Sequence, residues 1–128
     1  MTIDLKYDKH KRILVVTGIG EITAQEIAST FDKIGGSPEY PPNADRIWDL
    51  RKADLTSLDE KSLLKIIQLA KQYPEFANYS MALIASTDLS YGVSRMYELL
   101  SEGELPRNIM VFREYSEGEK WILQERTP

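Results

Sequence analysis

Asp49-Leu50-Arg51, Ser86-Thr87-Asp88 and Arg113-Glu114 each follow an apolar run with the look of a strand. In open α/β sheets, ligands sit beyond the carboxyl ends of the parallel strands, so these polar groups converge on one edge. The helix that starts after Asp88 adds backbone N–H groups and partial positive charge for an anion, although Asp88 as its cap would repel one. Tyr91 and Arg95 are i, i+4 neighbours on the flank of that helix. An arginine stacked on a tyrosine can receive a carboxylate or phosphate through its planar fork. The alternative is a surface pair of Arg95 with Glu98, its stem packed on Tyr91. A ligand pocket at this edge would be walled by Val93, Met96, Tyr97 and Phe112, with Arg95 or Arg51 meeting an acidic head group. Asp49 and Arg113 complete the candidate set.

Several chemistries lack material. His10 is the single histidine, in a turn among lysines, so neither a triad nor a histidine metal site can be assembled. The chain has no cysteine, which excludes disulfides, thiol nucleophiles and cysteine metal sites. Asp59 and Glu60 are adjacent at a helix start and diverge by about 100°, so they cannot face each other as a catalytic pair. No catalytic activity, metal or cofactor is expected. The net charge of −4 argues against nucleic-acid binding. With 128 residues, 42% hydrophobic and 28% charged, the chain reads as one globular domain over 1–128. It shows no apolar leader or membrane-length run, so a soluble cytoplasmic protein without membrane insertion is expected.

The elements that would position the candidates follow from periodicity. Ile3, Leu5 and Tyr7 alternate with polar residues as a half-buried strand, and Arg12–Thr17 returns as a buried one after a polar turn. Further strands are expected at Arg46–Leu50, Met81–Ala85 and Ile109–Phe112. Thr23-x-x-Glu26, Ser57-x-x-Glu60 and Ser116-x-x-Glu119 match the capping box and predict three helix starts. Asp88 is the expected cap of the remaining helix, whose apolar face would be Val93, Met96, Tyr97 and Leu100. Trp48 and Trp121 are expected as core or interface anchors, and Met96 and Met110 as gap-fillers. The order β-β-α-β-α-β-α-β-α predicts a mixed, mostly parallel five-stranded sheet with four helices.

The run Tyr91-Gly92-Val93-Ser94-Arg95-Met96-Tyr97, the strand Val111-Phe112-Arg113 and the stretch Ser116–Ile122 resemble the bacterial SpoIIAA-like family, also called STAS/SEC14-like. Gly18–Thr23 and Trp48–Arg51 extend the resemblance over nearly the whole chain. It implies a β-α superhelix of about four turns, shared with lipid-carrying SEC14-type domains and anti-sigma factor antagonists. In those antagonists, a serine in an Asp-Ser-Ser-Gly run at a helix start is phosphorylated. Here that stretch reads Leu58-Asp59-Glu60-Lys61, which lacks the serine, and leaves Ser57 as the nearest candidate.

Ile13–Val16, Met81–Ala85 and Ile109–Phe112 are apolar at every position, so both faces of the sheet need cover. Crossovers of one hand place helices on one face. The other face must be covered by a displaced helix, an apolar ligand or a second subunit. A homodimer is expected on that ground. The function expected is a non-catalytic binding module in a regulatory role, working through a protein partner, with carriage of a small lipophilic ligand as the alternative.

Overall fold

The alternating amino-terminal residues pair as expected in the computed structural model, which describes residues 2–126. Strand β1 (Thr2–Asp8) runs antiparallel to β2 (Ile13–Glu21). Asp8 closes the turn between them, its carboxylate accepting from the backbone N–H groups of His10 and Lys11 at 2.9 and 3.0 Å. Strands β3 (Asp45–Asp54), β4 (Ser80–Ile84) and β5 (Asn108–Phe112) follow in parallel, in the spatial order β1-β2-β3-β4-β5. The β2–β3 register shifts between Thr17↔Asp49 and Ile19↔Lys52, so Leu50 and Arg51 stand opposite Gly18 as a bulge. Strand β3 is therefore longer than its apolar run, and its last turn of ladder pairs with β2 alone.

Four helices connect or close the strands: α1 (Ala24–Gly35), α2 (Glu60–Ala70), α3 (Asp88–Ser101) and α4 (Tyr115–Glu125). The first capping box is complete. Thr23 Oγ1 accepts from Glu26 N at 3.2 Å, and Glu26 Oε1 accepts from Thr23 N at 3.0 Å. The other two boxes do not form. Helix α2 is capped by Asp59, which accepts from Ser62 N at 2.8 Å, because Ser57 lies too far back along the chain. Helix α4 begins before Ser116, with Glu114 as an N-cap that makes no side-chain bond, and Glu119 reaches Lys11 instead at 3.0 Å. For α3 the cap is Thr87 rather than Asp88, its hydroxyl accepting from Ser90 N at 3.1 Å. Asp88 is then the first helical residue, where its charge still favours the helix dipole.

Sequential parallel crossovers place α1, α2 and α3 on one face, where Phe31, Ile67, Leu14, Val16 and Leu83 belong to the main core. Helix α4 crosses to the other face. Its Ile122 is fully buried against Ile13, Ile47, Ala82 and Ile84, with Trp121 packed at the margin. Gly118 allows this approach: a Cβ there would lie 2.5 Å from Ile84 Cδ1 and 3.2 Å from Ala82 Cβ. A displaced helix thus covers the second face, and the expected homodimer loses the exposed sheet that motivated it. Arg126 fastens the end of α4, bonding Asp45 at 2.8 Å and the carbonyls of Lys11 and Arg12 at 2.6 and 2.8 Å.

Candidate functional site

At the carboxyl edge of the strands, the expected cations are already engaged. Arg51 grips Asp49 with two bonds of 2.8 Å, and these hydrogen bonds hold the Asp49 carboxyl below its ordinary range. Arg95 pairs with Glu98 at 2.8 Å. It does not stack on Tyr91. That place is taken by Arg113, with its guanidinium 4.4 Å from the ring centroid and bonds to Asp88 at 3.0 Å and Ser86 O at 3.2 Å. These arginines are all roughly half exposed, and ion pairs of this kind contribute little. The edge holds a set of surface pairs, without a pocket walled as expected.

Two of the expected walls lie elsewhere. Met96 points to solvent, and Phe112 is on the α4 face, 5.7 Å from the Trp121 ring. Met110 is likewise exposed rather than filling a gap, while Trp48 is buried as an anchor. Tyr97 and Val93 do line a cavity, one that lies under α3 rather than at the strand ends. It measures about 60 Å³, between the sheet residues Trp48, Leu50, Met81 and Leu83 and the helices α1, α2 and α3.

The cause of the cavity is the inner face of α3. Its buried residues are Ser90, Ser94, Tyr97 and Ser101, at a regular helical spacing. Three of the four are serines, too short to fill the space above the sheet. Tyr91, Val93 and Leu100 are half-buried against the core, while Leu89, Met96 and Leu99 point outward at 53%, 42% and 54% exposure. The inner face is thus poorer in apolar side chains than that of an ordinary amphipathic helix. Ser94 Oγ and Trp48 Nε1 belong to residues lining the cavity, and both are buried without a hydrogen-bond partner among the described residues. Such orphan polar atoms are rare in native interiors.

A second constellation, which periodicity does not reveal, lies at the amino ends of the parallel strands. Arg46, at the start of β3, is completely buried. Its guanidinium stacks on the rings of Phe76 and Tyr79, 4.4 and 4.5 Å from their centroids, and donates to Pro42 O at 2.7 Å. Arg107 stacks on Tyr79 at 4.9 Å and donates to the Tyr79 hydroxyl. Burial pushes the Tyr97 phenol up to about 12, with Arg107, Tyr79 and Arg46 close enough to act on its charge. Tyr97 lines the cavity and shares the main core with Tyr79 and Phe76.

Ser57 remains exposed, and its hydroxyl donates to Ile22 O at 3.0 Å, tying the loop before α2 to the end of β2. It acts as a tether, not as a cap. Ser57→Ala should cost about 0.5–1.5 kcal/mol in urea unfolding, with ligand binding unchanged. A binding defect at unchanged stability would instead mark this serine as a switch.

A mixed sheet in sequential order, with three helices on one face and a returning fourth, defines the SpoIIAA-like fold. The chain is similar to the crystal structure of an uncharacterised protein of the DUF3478 family with a SpoIIAA-like fold from Shewanella loihica PV-4. The two share 13% sequence identity over 94% of this chain and 92% of that one, with a TM-score of 0.61. No family model matches the chain, and no curated protein matches it either. At that identity the likeness establishes the fold. Among the described residues, no helix is long and apolar enough to cross a membrane.

Proposed function

We propose that this chain is a non-catalytic binding domain that takes a small, largely apolar ligand between the sheet and α3. The observation that carries this reading is the pair of orphan polar atoms, Ser94 Oγ and Trp48 Nε1, carried by two residues that line an otherwise apolar cavity. Mostly apolar walls with few polar groups are the usual make-up of a small-molecule site. The space of about 60 Å³ holds only about two waters, far below a ligand pocket of roughly 300 Å³ or more. Entry therefore requires α3 to move outward. Its three buried serines make that less costly than for a wholly apolar face, because burying serine contributes little area, and the contacts to be released are those of Tyr91, Val93, Tyr97 and Leu100.

A titration with decanol, a neutral apolar probe, tests the reading through the fluorescence of Trp48 in a Trp121→Phe background. Saturable change at Trp48 is expected. Its absence, beside a native mass spectrum free of any retained small molecule, would end the proposal. Ser94→Ala should raise stability by about 1 kcal/mol, since it removes an unpaired buried hydroxyl and gains helix propensity. The same variant should weaken decanol roughly 2- to 10-fold, the value of one neutral hydrogen bond. Arg95→Ala should leave the affinity unchanged, because Arg95 is held by Glu98 on the surface.

The outward stripe of Leu89, Met96 and Leu99 favours a second reading, in which the domain acts through a protein partner or a second copy of itself. With the sheet covered by α4, the stripe on α3 is the surface this reading assigns to a homodimer. Sedimentation separates the two: twice the chain mass in wild type and a monomer in Leu99→Asp would support the α3 interface. A monomer in both would leave the cavity reading alone.

A further inference from the structure

We infer that Arg46 and Arg107, with Tyr79 between them, form an anion site at the amino ends of the parallel strands, opposite the edge where such folds usually hold ligands. Ion pairs among the described residues engage Lys11, Arg51, Lys71, Arg95, Arg113 and Arg126. Neither Arg46 nor Arg107 is in any of them, although Arg46 is the largest fully buried side chain and the chain carries an excess of acids. Removing a cation from water without a counter-charge is costly, and placing a second beside it adds repulsion. The Tyr79 and Phe76 rings offset part of this through cation–π contact.

The donors are not exhausted by those rings. Arg46 Nε and Nη1 and Arg107 Nε are buried and have no hydrogen-bond partner among the described residues. Arg107 and Tyr79 also line an open cleft of about 930 Å³, whose floor includes Asn78, Ser80 and Asn108 at the strand starts. Arg107 Nη2 makes only a long bond of 3.4 Å to Phe76 O, so a carboxylate or phosphate entering from the cleft would meet this weakly held end of the guanidinium and supply the missing charge. A planar guanidinium fork matches either group.

Two sources of that chemistry are distinguishable. Tyr97, which lines the cavity under α3, belongs to the same core cluster as Tyr79 and Phe76, so the anion can be the head of an amphiphile whose tail lies in that cavity; this part alone rests on the proposed function. Alternatively, it is a free anion. The test follows the arginine side-chain Hε–Nε resonances of the intact protein with inorganic phosphate, decyl phosphate and decanol, in wild type and Arg107→Gln. Decyl phosphate should shift both the Arg46 and Arg107 signals and bind at least about tenfold more weakly to Arg107→Gln, with decanol binding unaltered. Shifts with inorganic phosphate of the same strength as with decyl phosphate would support a free-anion site. Should neither phosphate move either signal in wild type, the inference is overturned and the guanidiniums are a structural stack. Decanol reports separately on the cavity, so its failure would sink the proposed function and not the anion site. The wild-type measurement needs no variant, and Arg46→Met serves as a second one should Arg107→Gln unfold.

Discussion

Gly118→Val is expected to be the most damaging single substitution on the α4 face, with a loss on the order of 3 kcal/mol. Its new Cβ would sit 2.5 Å from Ile84 Cδ1, 3.2 Å from Ala82 Cβ and 3.3 Å from Phe112 Cδ2. Ile84 can turn its terminal methyl aside, but the Ala82 Cβ moves only with β4. The helix must lift, and lifting it uncovers Ile122 and the fully buried Ile13, Ile47, Ala82 and Ile84. Gly118→Ala carries the same Cβ without the branches and recovers up to about 1 kcal/mol of helix propensity, so its loss should be smaller. Urea unfolding of the two variants gives the order. Hydrogen exchange should show α4 amides losing protection first in the valine variant. The sheet face so exposed should also make that variant self-associate, as an uncovered apolar patch does. A valine variant as stable as wild type, with α4 still protected, would mean that the helix is not seated on the sheet through Gly118.

Much of the architecture is legible in local patterns, because those patterns reflect local physics. The period-two alternation of Ile3, Leu5 and Tyr7 and the box at Thr23 and Glu26 both depend on residues a few positions apart. Helix α4 is half legible. Two-sided apolar strands demand a cover, and a glycine inside a helical stretch signals close approach, but neither says which element provides it. Helix α3 misleads for a definite reason. Val93, Met96, Tyr97 and Leu100 have helical spacing, and so do Ser90, Ser94, Tyr97 and Ser101. Hydrophobicity alone selects the first set as the buried one. In the structure Tyr97 is buried, Val93 and Leu100 are half-buried against the core and Met96 is exposed, while the serines of the second set take the most buried positions. Arg46 is invisible for another reason. It reads as the polar start of a strand, and the rings that make its burial tolerable, Phe76 and Tyr79, lie about thirty residues away and meet it only once β3 and β4 pair. The surface pair of Arg95 is the opposite case, since its partner Glu98 lies three residues away and is legible as the alternative to a site.

The buried phenol of Tyr97 makes alkaline stability a direct readout of this interior. Burial is the main cause that pushes its hydroxyl up to about 12, with Tyr79 adding to the rise and Arg107 and Arg46 opposing it. An unfolded tyrosine releases its proton near pH 10. Between these values the unfolded chain has lost a proton that the folded chain keeps, so unfolding is favoured increasingly as pH rises. The stabilisation from Tyr97 is therefore intact below about pH 10 and lost progressively toward pH 12. A shift of about two units corresponds to a loss on the order of 3 kcal/mol across that window. Tyr79 is raised as well, chiefly by burial, and pulls in the same direction. Other tyrosines and lysines titrate over the same range, so the measurement that isolates Tyr97 is a difference. Urea unfolding of wild type and Tyr97→Phe at pH 8, 10 and 11 should show the gap between them shift in favour of the variant by about 1 kcal/mol at pH 11. A gap independent of pH would show that Tyr97 reaches water and that the cavity it lines is not dry.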